Sequence, residues 1–284
     1  MAERIRVGSA EIAVAADAAF TLNTSGAFPN VPAEAWRVYH PDIAPSGEIP
    51  SRVLTFVVRS QGRTILVDSG VGEWGVWRFG NGHLLDSLAA LDVRPEAVDF
   101  VVPTHLHIDH VGWNTRRSPQ GPVPTFPRAR YIFQQADWDY FTRPEFLAGE
   151  RAAYVQHSVL PLQDSGLMEL AGSERAITDE VTLLHAPGHT PGQVCVLVES
   201  GGEAALLIGD VCHDPAQLSE PDWSPVFDVD AALSARSRRA VARMAKELSG
   251  LVAGAHFNPP GATPFGRLIE IEGRTLWRGV DLPG

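Results

Sequence analysis

Hydrophobic residues follow two patterns along the chain, and both patterns recur in each half. Short apolar runs, typical of buried strands, lie at 53–59, 63–68, 99–105, 130–133, 180–188, 194–200, 203–210 and 251–256. Helical spacing of apolar residues occurs at 83–91, 135–141 and 230–248. The last of these begins with Asp230, a residue type favoured at helix N-termini. Turn residues predict hairpins within 53–68 and 194–210, and a final hairpin near the end of the sequence.

This order of elements predicts an α/β (α+β) protein in which two sheets are covered by helices. No linker or repeat interrupts it, so we expect a single domain over residues 1–284. Residues 20–50 contain five prolines and are expected to form an irregular loop that lines a pocket. Residues 257–284 are expected to form a C-terminal hairpin extension.

Composition narrows the classes of protein that this chain could be. Of its 284 residues, 44% are hydrophobic and 20% are charged, which is ordinary for a folded domain. The net charge of −11 disfavours binding to nucleic acid or to anionic membranes. No apolar run approaches the roughly 18 residues of a membrane span, and we expect no signal peptide because Glu11 and Asp17 interrupt the first apolar stretch. Two cysteines in a chain of this size favour a reducing compartment, hence the cytoplasm.

The densest cluster of chemically active residues is His105-Leu106-His107-Ile108-Asp109-His110, directly after a predicted strand. In an extended segment, residues two apart point the same way, so His105 and His107 can hold one metal ion. As the chain turns into a helix, Asp109 and His110 can face a second ion. Imidazole and carboxylate ligands favour zinc. This segment therefore predicts a metal centre.

Four further acidic or imidazole residues end predicted strands: Asp68, His189, Asp210 and His256. Strand ends orient functional side chains because the backbone there is rigid. His185, four residues before His189, is instead expected to be a core histidine.

At this point the chain resembles the metallo-β-lactamase-fold hydrolases. The matching motifs are TILVDSG (64–70), THLHIDH (104–110), APGHTPG (186–192), IGD (208–210) and GAH (254–256), in the order of the family. The resemblance implies a four-layer αββα sandwich. It implies one metal on His105, His107 and His189, and another on Asp109, His110 and His256. It also implies that Asp210 bridges the two metals and that Asp68 orients a ligand through a hydrogen bond.

Departures from individual branches of the family narrow the expected activity. True β-lactamases of this fold lack the bridging carboxylate, whereas Asp210 is present here. Glyoxalase-type acyl thioesterases share the ligand set, but their C-terminal part is helical, whereas this chain ends in a predicted hairpin. That tail resembles the methyl parathion hydrolase-like group, next to the lactonases. His213 stands where many lactonases have a tyrosine.

The expected function is therefore a dinuclear zinc hydrolase in which a metal-bridging hydroxide attacks an ester or lactone carbonyl, with phosphotriesters as further substrates. The alternatives are a glyoxalase-type acyl thioesterase and, more remotely, a non-catalytic interaction protein stabilised by metal. The expected partner is a small molecule, and the oligomeric state is left open, with a homodimer among the options. The candidate catalytic residues are Asp109, Asp210 and His213, and the candidate pocket residues are Phe28, Trp36 and Trp74.

Overall fold

The computed structural model describes residues 3–74, 79–172 and 174–281. Its strands are β1 (Arg4–Val7), β2 (Ala10–Asn23), β3 (Glu48–Ser60), β4 (Arg63–Val67), β5 (Phe100–Val102), β6 (Thr115–Arg116), β7 (Val123–Pro124), β8 (Arg130–Gln134), β9 (Met168–Ala171), β10 (Arg175–Thr178), β11 (Val181–His185), β12 (Val194–Ser200), β13 (Glu203–Leu207), β14 (Leu251–Ala253), β15 (Gly266–Ile271) and β16 (Arg274–Gly279). Its α-helices are α1 (Thr24–Ala27), α2 (Ala33–Trp36), α3 (Leu84–Ala90), α4 (Ile108–Val111), α5 (Gln135–Phe141), α6 (Pro144–Leu147), α7 (Ala153–Ser158), α8 (Ala216–Ser219) and α9 (Ala231–Glu247).

The long strands form two seven-stranded sheets. The order in the first sheet is β1-β2-β3-β4-β5-β8-β9, and in the second it is β10-β11-β12-β13-β14-β15-β16. Each sheet has a parallel pair near its centre, β4 with β5 and β13 with β14. The carboxyl ends of these four strands are where the predicted ligands follow in the chain.

The two sheets face each other across a buried apolar layer. Its members alternate along the strands, as in Ile12 and Val14 of β2 and Val194, Val196 and Val198 of β12. Because side chains two apart share a face of a strand, this alternation directs one face of each sheet into the layer.

Helices cover the outer face of each sheet. The outer face of the first sheet packs on α3, α4, α5 and α7 through a second apolar cluster. The outer face of the second sheet packs on α8 and α9, with Val241 and Ala245 of α9 buried there. At the start of α9, the Asp230 carboxylate accepts a hydrogen bond from the backbone N–H of Leu233 at 2.8 Å, as its capping role predicted. The four layers confirm the predicted αββα architecture.

The predicted strands and helices are present, with differences at their ends. The strands that lead to the metal motifs stop earlier than predicted: β5 ends at Val102 and β14 ends at Ala253. The residues that follow leave the sheets because their backbones turn to bring polar side chains together. Residues 267–280 form the predicted last hairpin, as β15 and β16, at an edge of the second sheet.

The N-terminal part of the chain differs most from its prediction. Strand β2 runs for 14 residues and pairs with β3 over nearly its whole length, so residues 20–23 and 48–50 belong to strands rather than to an irregular loop. Between these strands lie the one-turn helices α1 and α2. The carboxylate of Asp17, where β2 has a bulge, accepts hydrogen bonds from the backbone N–H of Val71 and Leu84 and from the indole of Trp113. Asp17 thereby joins β2 to the segment that follows β4.

No helix in the described ranges combines the length and the apolar character that crossing a membrane requires.

Candidate metal centre

Seven side chains from both sheets converge at the carboxyl ends of the central strands. Asp68 follows β4, while the segment from His105 to His110 follows β5 and enters α4. From the second sheet, His189 follows β11, Asp210 lies in a short 3-10 turn after β13, and His256 follows β14. Residues more than 100 positions apart in the sequence thus meet at one edge of the sandwich.

Two glycines allow the backbone to make these turns. Gly188, before His189, has φ of 134°, and a Cβ there would lie 2.1 Å from the backbone nitrogen of Ser234 in α9. Gly209, before Asp210, has φ of 50°, and a Cβ there would lie 2.6 Å from Thr104 Oγ1. Only glycine fits both the left-handed backbone and the close approach, which explains the PGH and GD motifs.

His105, His107 and His189 form the first group of donors. Nδ1 of His107 lies 2.9 Å from Nε2 of His105 and 2.9 Å from Nε2 of His189. Three imidazole nitrogens at one point form a group that can hold a metal ion. The structure therefore brings together the three histidines that the resemblance assigned to one site.

Asp109, His110 and His256 form the second group. Nε2 of His256 lies 3.5 Å from Oδ2 of Asp109, and Nε2 of His110 lies 3.8 Å from Oδ1 of Asp109. Asp109 is partly exposed, whereas the two histidines are buried. These residues are again the three that the resemblance grouped together.

Asp210 lies between the two groups. Its Oδ1 faces the second group, 3.2 Å from His256 Nε2 and 3.4 Å from His110 Nε2. Its Oδ2 faces the first group, 3.6 Å from His189 Nε2 and 3.9 Å from His105 Nε2. One carboxylate with an oxygen toward each group has the geometry of a bridging ligand.

Four of these histidines are held through the ring nitrogen that points away from the centre. Nδ1 of His110 lies 2.9 Å from the Asp68 carboxylate, and Nδ1 of His256 lies 2.8 Å from the backbone oxygen of Arg52. Such partners fix the tautomer and the orientation of a metal-binding imidazole. The remaining contacts of this kind are His105 Nδ1 with Thr104 Oγ1 at 3.1 Å and His189 Nδ1 with Asp228 Oδ1 at 3.0 Å.

Burial and the crowding of imidazoles determine the protonation of the centre. Burial lowers the pKa of His105 and His107 well below the usual value for histidine, and the neighbouring imidazoles add to this effect. Although burial alone would raise the pKa of Asp210, the imidazoles of His256, His110 and His213 hold it well below its usual value. Neutral imidazoles beside an ionised carboxylate are the protonation states in which these groups bind metal.

The donor set passes a direct test of fit to metal ions. Nε2 of His110 and Oδ1 of Asp210 are buried and have no hydrogen-bond partner among the described residues. An unsatisfied buried polar group costs free energy and calls for a ligand, an ion or water. Both atoms point into the centre, so metal ions would satisfy them.

His213 lies against the same carboxylate. Its Nε2 is 3.0 Å from Oδ2 of Asp210, and its ring is buried. With His189 and Asp210 it forms a further group that could hold an ion. Asp214, considered as a partner of His213, instead pairs with His40 Nε2 at 2.9 Å.

The structure corrects two of the three predicted pocket residues. Phe28 and Trp36 are each 0% exposed, and their rings pack 5.0 Å apart. Trp36 also packs on Trp223 at 4.7 Å, within a small apolar cluster under the N-terminal loop. Aromatic side chains in this loop therefore bury each other and present no surface to a substrate.

Trp74 is partly buried and is the last described residue before the gap at 75–78. Its indole stacks on His157 at 4.2 Å, with the Arg117 guanidinium 4.9 Å from the indole centroid. His185 corrects another prediction, because it is exposed; its Nε2 lies 3.0 Å from the backbone oxygen of Pro191.

Sequence reasoning missed Asp228 and Arg238, which support the centre from behind. Asp228 contacts Nδ1 of His189 and accepts a 2.6 Å bond from Arg238, and both side chains are fully buried. Although burial alone would raise the pKa of Asp228, His189 and Arg238 hold it below its usual value. Arg238 also donates to the backbone oxygen of Val211, next to Asp210. One guanidinium thus supports the segments of two donors.

Asp137 in α5 is a second residue that was missed. Its buried carboxylate accepts hydrogen bonds from the N–H of Leu106, the hydroxyl of Thr190 and the N–H of Gly192. Burial raises its pKa to about 6, although these hydrogen bonds oppose the shift. Asp137 therefore joins the loop of His105 and His107 to the loop of His189.

Comparison with known proteins agrees with this geometry. A family model described as the metallo-beta-lactamase superfamily matches residues 49–256. An N-acyl homoserine lactonase from Bacillus cereus is 23% identical over 214 residues, which cover 69% of this chain and 78% of that protein.

Two solved structures each match 100% of this chain and 98% of their own, with a TM-score of 0.82. They are AidC, a dizinc quorum-quenching lactonase in complex with a product, at 19% identity, and the hydrolase AbOPH of the beta lactamase superfamily, at 23% identity.

The chain belongs to the metallo-β-lactamase superfamily. This confirms the predicted family and fold, and with them the prediction of a metal-dependent hydrolase.

The buried pair of Asp228 and Arg238 generates a prediction about stability. Arg238→Met removes the charge and leaves Asp228 buried without its cation, so we expect the free energy of unfolding to fall by about 3–5 kcal/mol. Urea unfolding in excess chelator measures this loss without a contribution from metal binding. The control is Arg243→Met in the same helix, where the side chain is 70% exposed and the expected change is within about 0.5 kcal/mol. Equal, small losses for both variants would contradict a supporting role for the pair.

Proposed function

We propose that this protein is a dinuclear metal hydrolase that opens lactones or cleaves esters, with the whole chain acting as one catalytic domain. The observation that carries the proposal is the convergence of seven donor side chains around two buried atoms without partners, His110 Nε2 and Asp210 Oδ1. A purely structural cluster of polar groups would satisfy these atoms internally.

Each ligand has a proposed place. His105, His107 and His189 hold one ion, while Asp109, His110 and His256 hold the other. Asp210 joins them, which its two differently directed oxygens support. Asp68 orients His110 through the 2.9 Å contact with Nδ1. The zinc-type donor set and the dizinc neighbour AidC favour zinc at both positions.

When bound, such ions supply Lewis acidity, which polarises a carbonyl oxygen and lowers the pKa of water from 15.7 to about 7. The chain's own residues do the rest. Asp109 and Asp210 contribute the negative charge that keeps two cations close together. The anchors of His105, His110, His189 and His256 keep these donors in place during the reaction.

His213 is proposed to act on the substrate directly. Its Nε2 faces the centre, 3.0 Å from Asp210. From there it can donate a hydrogen bond to the substrate carbonyl or a proton to the leaving alkoxide. General acid catalysis of this kind contributes roughly 10²–10⁴-fold.

The substrate class rests on the relatives and on the tail of the chain. The relatives above are named as lactonases and hydrolases. Between His256 and residue 281, the described residues form the hairpin of β15 and β16 and include no helix. This favours an ester or lactone over the acyl thioesters expected with a helical C-terminal part. A phosphotriester remains a further proposed substrate, since the same centre could orient water toward phosphorus.

The function is tested by comparing four substrates: an N-acyl homoserine lactone, an aryl ester, an acyl thioester and an aryl phosphotriester. Protein stripped by chelator and protein reloaded with zinc are assayed in parallel. We expect the lactone or the ester to give the highest kcat/KM, and we expect turnover to vanish with the metal and to return with zinc. A preference for the thioester would support the thioesterase alternative. No turnover of any substrate with two metals bound would support a non-catalytic role.

The role of His213 is tested by His213→Phe, which keeps a ring but removes both nitrogens. We expect unchanged metal content and turnover at least about tenfold lower on a lactone with a poor leaving group. The loss should shrink for nitrophenyl esters, whose leaving group needs no proton.

The matched control is His185→Phe, because His185 is exposed and belongs to no candidate metal group among the described residues. Loss of metal in His213→Phe would make His213 a ligand instead. Unchanged turnover on the lactone would contradict the catalytic role.

A further inference from the structure

An exposed apolar segment lies beside the candidate metal centre and takes no part in the function described so far. Val226, Phe227 and Val229, which we call the apolar shelf, are 64%, 38% and 45% exposed. They are three of the five large hydrophobic residues that stand out as exposed in the described part of the chain. Apolar side chains concentrated in this way at a surface mark a binding site more often than scattered ones do.

The shelf is held in place from both ends. The N–H of Val226 donates to the backbone oxygen of Ala27 at 2.9 Å, and the N–H of Val229 donates to that of His189 at 3.1 Å. Between them, the buried Asp228 carboxylate pairs with His189 and Arg238. The apolar side chains are therefore exposed on a fixed backbone.

The shelf adjoins the atoms that would react. The ring of Phe227 lies 4.6 Å from the ring of His213 and 6.0 Å from that of His189. On another side of the centre, Phe20 packs edge-on against His256 at 5.2 Å and against Phe79 at 5.2 Å. A substrate carbonyl beside His213 would thus have its neighbouring atoms near the Phe227 ring.

The chemistry of the shelf defines what it can bind. Its one charged residue, Asp228, is turned inward and neutralised by Arg238. The surface that remains offers dispersion and desolvation but no ion pair. We propose that the apolar shelf binds an uncharged alkyl or aryl substituent attached to the carbonyl of the substrate. This inference rests on the proposed function and extends it by naming the apolar part of the substrate.

The consequence is a dependence of kcat/KM on the length of that substituent. Full burial of one methylene corresponds to roughly a fourfold gain in binding, and half-burial to roughly twofold. A series of acyl homoserine lactones with chains of four to ten carbons, assayed on the metal-loaded full chain, measures this dependence. We expect kcat/KM to rise along the series in the original protein.

Phe227→Ala should flatten the dependence. We expect a loss of about tenfold for the ten-carbon substrate, a change within about threefold for the four-carbon substrate, and unchanged metal content. Phe227→Leu keeps an apolar side chain and should restore most of the dependence. Ile271→Ala is the matched control, because Ile271 is 46% exposed on the C-terminal hairpin. Its dependence on chain length should match that of the original protein.

A measurement without turnover separates this inference from the proposed function. Calorimetric titration with decanamide and butanamide, which are uncharged and contain no ester, should show tighter binding of decanamide and loss of that preference in Phe227→Ala. Absence of hydrolysis by the original protein would overturn the proposed function, while the titration would still test the shelf.

The inference itself fails if the chain-length dependence is absent from the original protein or unchanged in Phe227→Ala. It also fails if sedimentation shows a dimer that Phe227→Ala dissociates, since a second copy would then cover the shelf.

Discussion

The structure depends on placing many polar donors at a buried edge between two apolar sheets. Asp210 is the centre of this constraint: it is 3% exposed and has histidines on both sides. A carboxylate removed from water is costly unless charge or hydrogen bonds compensate for it. The surrounding imidazoles supply part of this compensation. The atoms left without partners, on Asp210 and His110, show where the rest must come from.

Support for these donors comes from the layers behind them. Asp68 and Asp137 belong to the first sheet and its helices, whereas Asp228 and Arg238 belong to the segment that leads into α9 and to α9 itself. Asp137 joins the loops of three histidines, and Arg238 joins the segments of His189 and Asp210. Both halves of the sandwich therefore fix the same centre, which accounts for buried charges in an otherwise apolar interior.

The sequence was informative where chemistry is written in contiguous residues. The segment from His105 to His110 and the glycine-led motifs around His189 and Asp210 are local, because each turn requires its own residues. The donor groups predicted from them are the groups that meet in the structure. Whether they bind metal as assigned stays a prediction.

Features that depend on distant contacts could not be predicted in the same way. Asp228 is 39 residues from His189, and Asp137 is 31 residues from Leu106, so no local pattern connects them. Strand β2 is rich in alanine, and its identity comes from pairing with β3 rather than from propensity. Phe28 and Trp36 looked like pocket residues because they lie in a proline-rich stretch, but packing against Trp223 buries them. Phe227 gave no signal in the sequence, since its position beside His213 arises only on folding.

The central claim is that the seven donors hold two metal ions with Asp210 between them. Elemental analysis of protein purified without chelator and then reconstituted with zinc tests this claim most directly, with Asp210→Ala measured alongside. The account predicts about two equivalents per chain in the original protein and weakened binding of both ions in the variant. A single equivalent that persists after reconstitution, or two tightly held equivalents in Asp210→Ala, would contradict it.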